Sequence, residues 1–139
     1  MSTIPNRNYP MKIFIASICL SLGALFSCQQ KEGFKSVSVE EFSTIIADPD
    51  VQRLDVRTVA EYSEAHIPGS ININVLDKEF PAMADSTLQK EKPVALYCRS
   101  GKRSKKAASL LCQKGYKIYD LDEGFEGWKK AGKEIHSTN

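Results

Sequence analysis

Four consecutive apolar residues, Val94-Ala95-Leu96-Tyr97, constrain the fold of this chain more than any other stretch. Lys92-Pro93 precedes them and a polar loop follows, which is the signature of a strand buried on both faces of a parallel sheet. The flanking sequence alternates in the same sense. Ser36–Val39 reads as a brief strand, Val39–Ala47 as an amphipathic helix and Asp48-Pro49-Asp50 as a turn. Val51–Val56 reads as a strand, and Thr58 caps a short helix over Val59–Ala65 with Glu61 as its capping-box partner. Ile67-Pro68-Gly69 turns into a strand over Ser70–Val75, and Leu76–Ala84 is expected as a helix. A helix from about Ser104 to Lys114 stops at Gly115, a residue suited to the left-handed conformation after a helix. Tyr116–Leu121 is the last expected strand and Phe125–Lys130 the last helix. This order predicts an α/β fold, a single domain with a central parallel sheet and helices on both faces.

In such sheets ligands bind beyond the carboxyl ends of the strands. Cys98 stands at that end of the Val94–Tyr97 strand, and Arg99, Ser100, Gly101, Lys102 and Arg103 complete the loop before the helix that Ser104 opens. A cysteine there faces free backbone amides and the positive end of a helix, a setting that favours the thiolate, the nucleophilic form. Curled amides also make a nest for an anion. Residues 99–106 hold five cations, Arg99, Lys102, Arg103, Lys105 and Lys106, and no acid. The residues alone describe a thiolate nucleophile in an anion cradle.

The N-terminal region has a different character. Ile13–Phe26 is an uncharged apolar run of 14 residues after Lys12, which suits the h-region of a signal peptide and is short for a membrane span. It ends in Leu25-Phe26-Ser27-Cys28, which resembles a bacterial lipobox, with Phe26 as a departure. The expected organisation is a lipoprotein signal peptide over 1–27, a tether anchored by lipid on Cys28 over 28–35, and a folded domain over 36–136. Met11 offers a second candidate start. Export to the periplasmic side of a bacterial membrane follows, and Gln29, where some bacteria place an aspartate for inner-membrane retention, favours the outer membrane. From Cys28 onward 17 cations face 17 acids, so whole-chain charge makes no case for nucleic-acid binding. Of the four cysteines only Cys98 and Cys112 fall in the domain, and Cys112, in the apolar stretch Ala107–Cys112, is expected as a small buried hydrophobe.

Three motifs in order give the chain a family resemblance. Cys98–Ser104, CRSGKRS, resembles the active-site loop of rhodanese-like sulfurtransferases. Leu54-Asp55-Val56-Arg57, Glu61-Tyr62 and His66-Ile67-Pro68-Gly69-Ser70 resemble the family's N-terminal signature, and Leu121–Gly132 its C-terminal one. Ala65 stands where many members carry glycine, and Glu123 where many carry the first glycine of a pair. The resemblance implies a single-domain sulfurtransferase in which Cys98 takes sulfur from thiosulfate or a similar small anion and passes it to a thiol or cyanide, with no metal or organic cofactor. It implies that Arg99, Ser100, Gly101, Lys102, Arg103 and Ser104 bind the donor, with Arg103 foremost, and that Asp55, Arg57, Glu61 and His66 support the loop structurally. Trp128 is expected as a core anchor and His136 as exposed. Phosphatases and arsenate reductases of the related fold use a cysteine loop one residue longer than the Cys-x4-Arg spacing here. A dithiol redox protein would carry a Cys-x-x-Cys pair, and non-catalytic modules of the family usually lose the cysteine.

Overall fold

The computed structural model describes residues 33–138; the proposed signal peptide and Cys28 lie outside the described residues. Five strands form a wholly parallel sheet: β1 (Phe34–Val37), β2 (Gln52–Asp55), β4 (Ile71–Asn72), β5 (Val94–Tyr97) and β6 (Ile118–Leu121). Their spatial order is β1-β6-β5-β2-β4, which puts β5 in the centre. The helices are α1 (Val39–Ile46), α2 (Val59–Glu64), α3 (Phe80–Thr87), α4 (Lys102–Gln113) and α5 (Gly124–Lys130).

Side chains alternate across β5 and divide the core into two layers. Val94 and Leu96 join Phe80 and Ala84 of α3 and Ala107, Ala108 and Leu111 of α4. Ala95 and Tyr97 join Phe42 and Ile46 of α1 and Phe125 and Trp128 of α5. Helices therefore cover both faces, as the unbroken apolar run VALY demands. Trp128 is buried and stands edge-on to Phe42.

Several boundaries move from those expected. The first strand lies two residues upstream, so Phe34 and Lys35 of the expected tether pair with Ile118 and Tyr119. The strand expected over Ser70–Val75 contracts to Ile71–Asn72, and the next helix starts at Phe80 instead of Leu76. Asn74 and Asp77 account for this shift. The side chain of Asn74 accepts the Leu76 N–H and that of Asp77 the Glu79 N–H, local turns that compete with helix. Pro81 then falls in the first turn, where a missing N–H costs nothing. The helix expected from Ser104 begins at Lys102, with Gly101 as its N-cap. Thr58 caps α2 as expected, its Oγ1 accepting the Glu61 N–H. A two-stranded antiparallel ribbon, β3 (Ala65–His66) with β7 (His136–Ser137), has no counterpart among the elements expected from the sequence. Cys112 is half-buried, against the expectation of a core residue, and its thiol faces the Gly33 carbonyl at 3.0 Å. Cys98 and Cys112 are both free thiols.

Candidate active site

The site grows from the point where β5 ends. Cys98 is 1% exposed. Its Sγ accepts the Gly101 N–H at 3.1 Å and lies 3.4 Å from the Ser104 hydroxyl. The thiol donates to the Ser104 oxygen, and the Gly101 amide places a donor on the sulfur, the kind of partner an anionic sulfur takes. The curl needs a left-handed residue at Gly101, whose φ is 97°. A Cβ on Gly101 would stand 2.1 Å from the Asp122 carbonyl oxygen, so the loop tip sits directly on the end of β6.

Helix α5 clamps the loop from the other side. The Phe125 N–H donates to the Cys98 carbonyl at 2.8 Å and the Glu126 N–H to the Arg99 carbonyl at 3.0 Å. Gly124, with φ of 64°, permits this approach; a Cβ there would meet the Arg99 oxygen at 2.5 Å. The C-terminal signature is thus a backbone brace for the cysteine loop.

The expected cluster of cations is more nearly neutral in space than in sequence. Arg103 is held by Glu61 through two hydrogen bonds, 2.8 and 2.9 Å. Arg99 pairs with Glu126 at 2.7 Å on the surface. Lys105 reaches Asp122, Asp120 and the Gly101 carbonyl at 2.9, 3.1 and 3.2 Å. The acids come from α2, from β6 and the turn after it, and from α5, so a window along the cysteine loop could not reveal them. Among the described residues Lys102 and Lys106 form no ion pair; Lys102 and Ser100 are exposed and Ser104 is buried. The Arg103 bonds hold the Glu61 carboxyl well below its ordinary value, at about 2. Burial opposes the charge on Lys105, but its bonds to Asp122 and Asp120 outweigh this and raise its pKa.

Asp55 and Arg57 form a buried pair beneath the loop, 2.7 Å between Oδ2 and Nη2. Arg57 also donates to the Ala65 carbonyl at 2.7 Å and lies over the Phe125 ring at 4.3 Å. His66 stands apart from the loop. Its Nδ1 is 2.8 Å from the Tyr62 carbonyl, and its ring stacks on Tyr62 and adjoins the exposed His136. Tyr97 ends the buried run Val94–Tyr97, and its hydroxyl takes the Ile67 N–H and meets Ser70 Oγ, both at 3.0 Å. It fastens the His-Ile-Pro-Gly-Ser turn to the strand that carries Cys98. A cleft of about 280 Å³ opens beside the loop, lined by Arg57, Glu61, Glu64, Ala65, Arg99, Phe125, Glu126 and Lys129.

A central parallel sheet with a cysteine loop of this size at its carboxyl edge defines a class. The rhodanese-like domain model matches residues 38–131, and the chain belongs to that family. It is 35% identical over 98 residues to a thiosulfate sulfurtransferase GlpE of Coxiella burnetii, an alignment covering 69% of this chain and 88% of the relative. It is 30% identical over 97 residues to the GlpE of Tolumonas auensis, covering 69% and 89%. The crystal structure of a rhodanese-related protein from Thermoplasma volcanium superposes with a TM-score of 0.65 at 28% identity, covering 74% of this chain and 98% of that one.

Proposed function

We propose that this protein is a sulfurtransferase that moves a sulfane sulfur from thiosulfate, or a related donor, to a thiophilic acceptor through a persulfide on Cys98. The Cys98 thiolate attacks the outer sulfur of the donor. A new S–S bond forms, the donor's own S–S bond breaks, and sulfite leaves with the electron pair. An acceptor thiolate or cyanide then attacks the terminal sulfur, and Cys98 departs as the thiolate. This is covalent catalysis by an activated nucleophile. The observation that carries the reading is the Cys98 sulfur itself, buried at the end of β5 and held by the Gly101 amide and the Ser104 hydroxyl inside a Cys-x4-Arg loop. That short ring suits a sulfur atom better than a tetrahedral oxyanion. The names of the curated relatives support the same reading. Export and lipid attachment at Cys28 to the periplasmic side of a bacterial membrane belong to the proposal, on the strength of the lipobox and the apolar run.

The test is sulfur transfer from thiosulfate to cyanide, beside Cys98→Ser, with intact mass read after thiosulfate alone. Turnover and one added sulfur atom in the wild type, both lost in Cys98→Ser, are expected. A folded, reduced protein that accepts no sulfur from thiosulfate or polysulfide would overturn the reading.

A further inference from the structure

Asp120 breaks a rule that the rest of the core obeys. It is wholly buried on β6, yet its Oδ1 has no hydrogen-bond partner among the described residues. Its Oδ2 takes the Ser36 hydroxyl at 2.8 Å and the Lys105 ammonium at 3.1 Å. A buried carboxylate with an idle oxygen costs stability, and features of this kind concentrate where a site requires them. Asp120 pairs in register with Leu96, two residues before Cys98 on the neighbouring strand. Lys105 spends its three donors on Asp120, Asp122 and the Gly101 carbonyl. Gly101 is the N-cap of α4, so the Lys105 ammonium adds a second donor to a carbonyl that already opens the helix's hydrogen-bond ladder. A Cβ on Gly101 would meet the Asp122 carbonyl oxygen at 2.1 Å and the Lys105 nitrogen at 3.3 Å, so only glycine fits between them.

We infer that Lys105, anchored by Asp120, is a positioning residue that fixes Gly101 and so aims the Gly101 N–H at the Cys98 sulfur. The ammonium holds the carbonyl side of Gly101 while the amide side faces Sγ, and Asp120 sets the height of the ammonium from the middle of the sheet. The inference deepens the sulfur-transfer reading and rests on it only for the consequence in turnover.

Two substitutions separate positioning from simple charge. Lys105→Met removes the cation and its three hydrogen bonds. Asp120→Asn keeps the cation and the side-chain shape but weakens the anchor. Alkylation of Cys98 by iodoacetamide is followed on the full chain across pH, by mass of the peptide that carries Cys98, with melting temperature as a check on folding. Positioning predicts that both variants are slower at neutral pH, by about tenfold, the weight of one hydrogen bond at a charged atom, and that both profiles move to higher pH. A pure charge effect predicts opposite directions, since loss of an anion favours the thiolate. Opposite shifts, or no shift in Asp120→Asn while it remains folded, would overturn the inference. Alkylation needs no sulfur donor. A wild type inert to thiosulfate and polysulfide would sink the function and leave the Lys105 result standing.

Discussion

Glu61 grips Arg103 across 42 residues of sequence through two near-parallel hydrogen bonds, 2.8 and 2.9 Å long. The pair joins α2 to the first turn of α4 and closes the cysteine loop at its far end. Glu61 lines the cleft, and side-chain exposures of 28% for Glu61 and 25% for Arg103 leave the pair partly open to solvent.

Its pH dependence follows from the sign of the shift. The folded carboxyl titrates at about 2, below the ordinary value of 4.5, so its contribution is present above about 4.5 and fades as pH falls towards 2. Screening at a site one-quarter exposed reduces the full shift to about 1–2 kcal/mol. Urea unfolding of the wild type and Glu61→Gln at pH 6 and near pH 2 is the check. The two proteins differ in stability at the higher pH and converge at the lower.

Asp55 and Arg57 predict a larger effect. Both are buried, and Arg57 is further fixed by the Ala65 carbonyl and the Phe125 ring. Removing one partner strands a charge in the core, at a cost of about 3–5 kcal/mol. Arg57→Met and Asp55→Asn are each expected to lower the denaturation midpoint sharply. The double variant loses less than the sum of the two, which a double-mutant cycle will measure.

The sequence made the sheet and the cysteine loop legible for one physical reason: both are written in consecutive residues. VALY, bounded by Lys92-Pro93 and a polar loop, reads as a strand buried on both faces, and CRSGKRS follows it directly. What stayed hidden depends on distant partners. The acids that neutralise Arg99, Arg103 and Lys105 come from elsewhere in the chain, and the β3–β7 ribbon pairs Ala65 with Ser137 and His66 with His136, residues far apart in sequence. Asn74 and Asp77 outweighed an apolar pattern that started a helix at Leu76, because local side-chain bonds leave no mark on hydrophobic periodicity.

Tyr97 shows how a core residue can serve the site. Its ring fills the α1/α5 layer, and its hydroxyl satisfies the Ile67 N–H and the Ser70 hydroxyl in a place closed to water. Burial pushes its ionisation far above the usual tyrosine range, so it stays neutral at any working pH. Tyr97→Phe leaves the Ile67 amide without its partner and is expected to cost about 1–3 kcal/mol. Hydrogen exchange will read the same change as faster exchange at Ile67.

Gly124 and Gly132 offer a matched comparison. Both adopt positive φ, 64° and 70°, so alanine at either carries a similar backbone penalty of about 1–2 kcal/mol. Their surroundings differ. A Cβ at Gly132 meets nothing within 4 Å, whereas one at Gly124 would enter the Arg99 carbonyl and the Ser100 nitrogen at 2.5 and 2.7 Å. Gly132→Ala is expected to lose that modest stability and keep the wild-type rate of Cys98 alkylation. Gly124→Ala must push α5 away from the loop, breaking the Phe125 N–H bond to the Cys98 carbonyl and the Glu126 N–H bond to the Arg99 carbonyl. The loop then loses its brace, and both alkylation and sulfur loading fall well beyond what the shared backbone penalty explains. Equal alkylation rates in the two variants would show that the brace does not hold the sulfur's geometry.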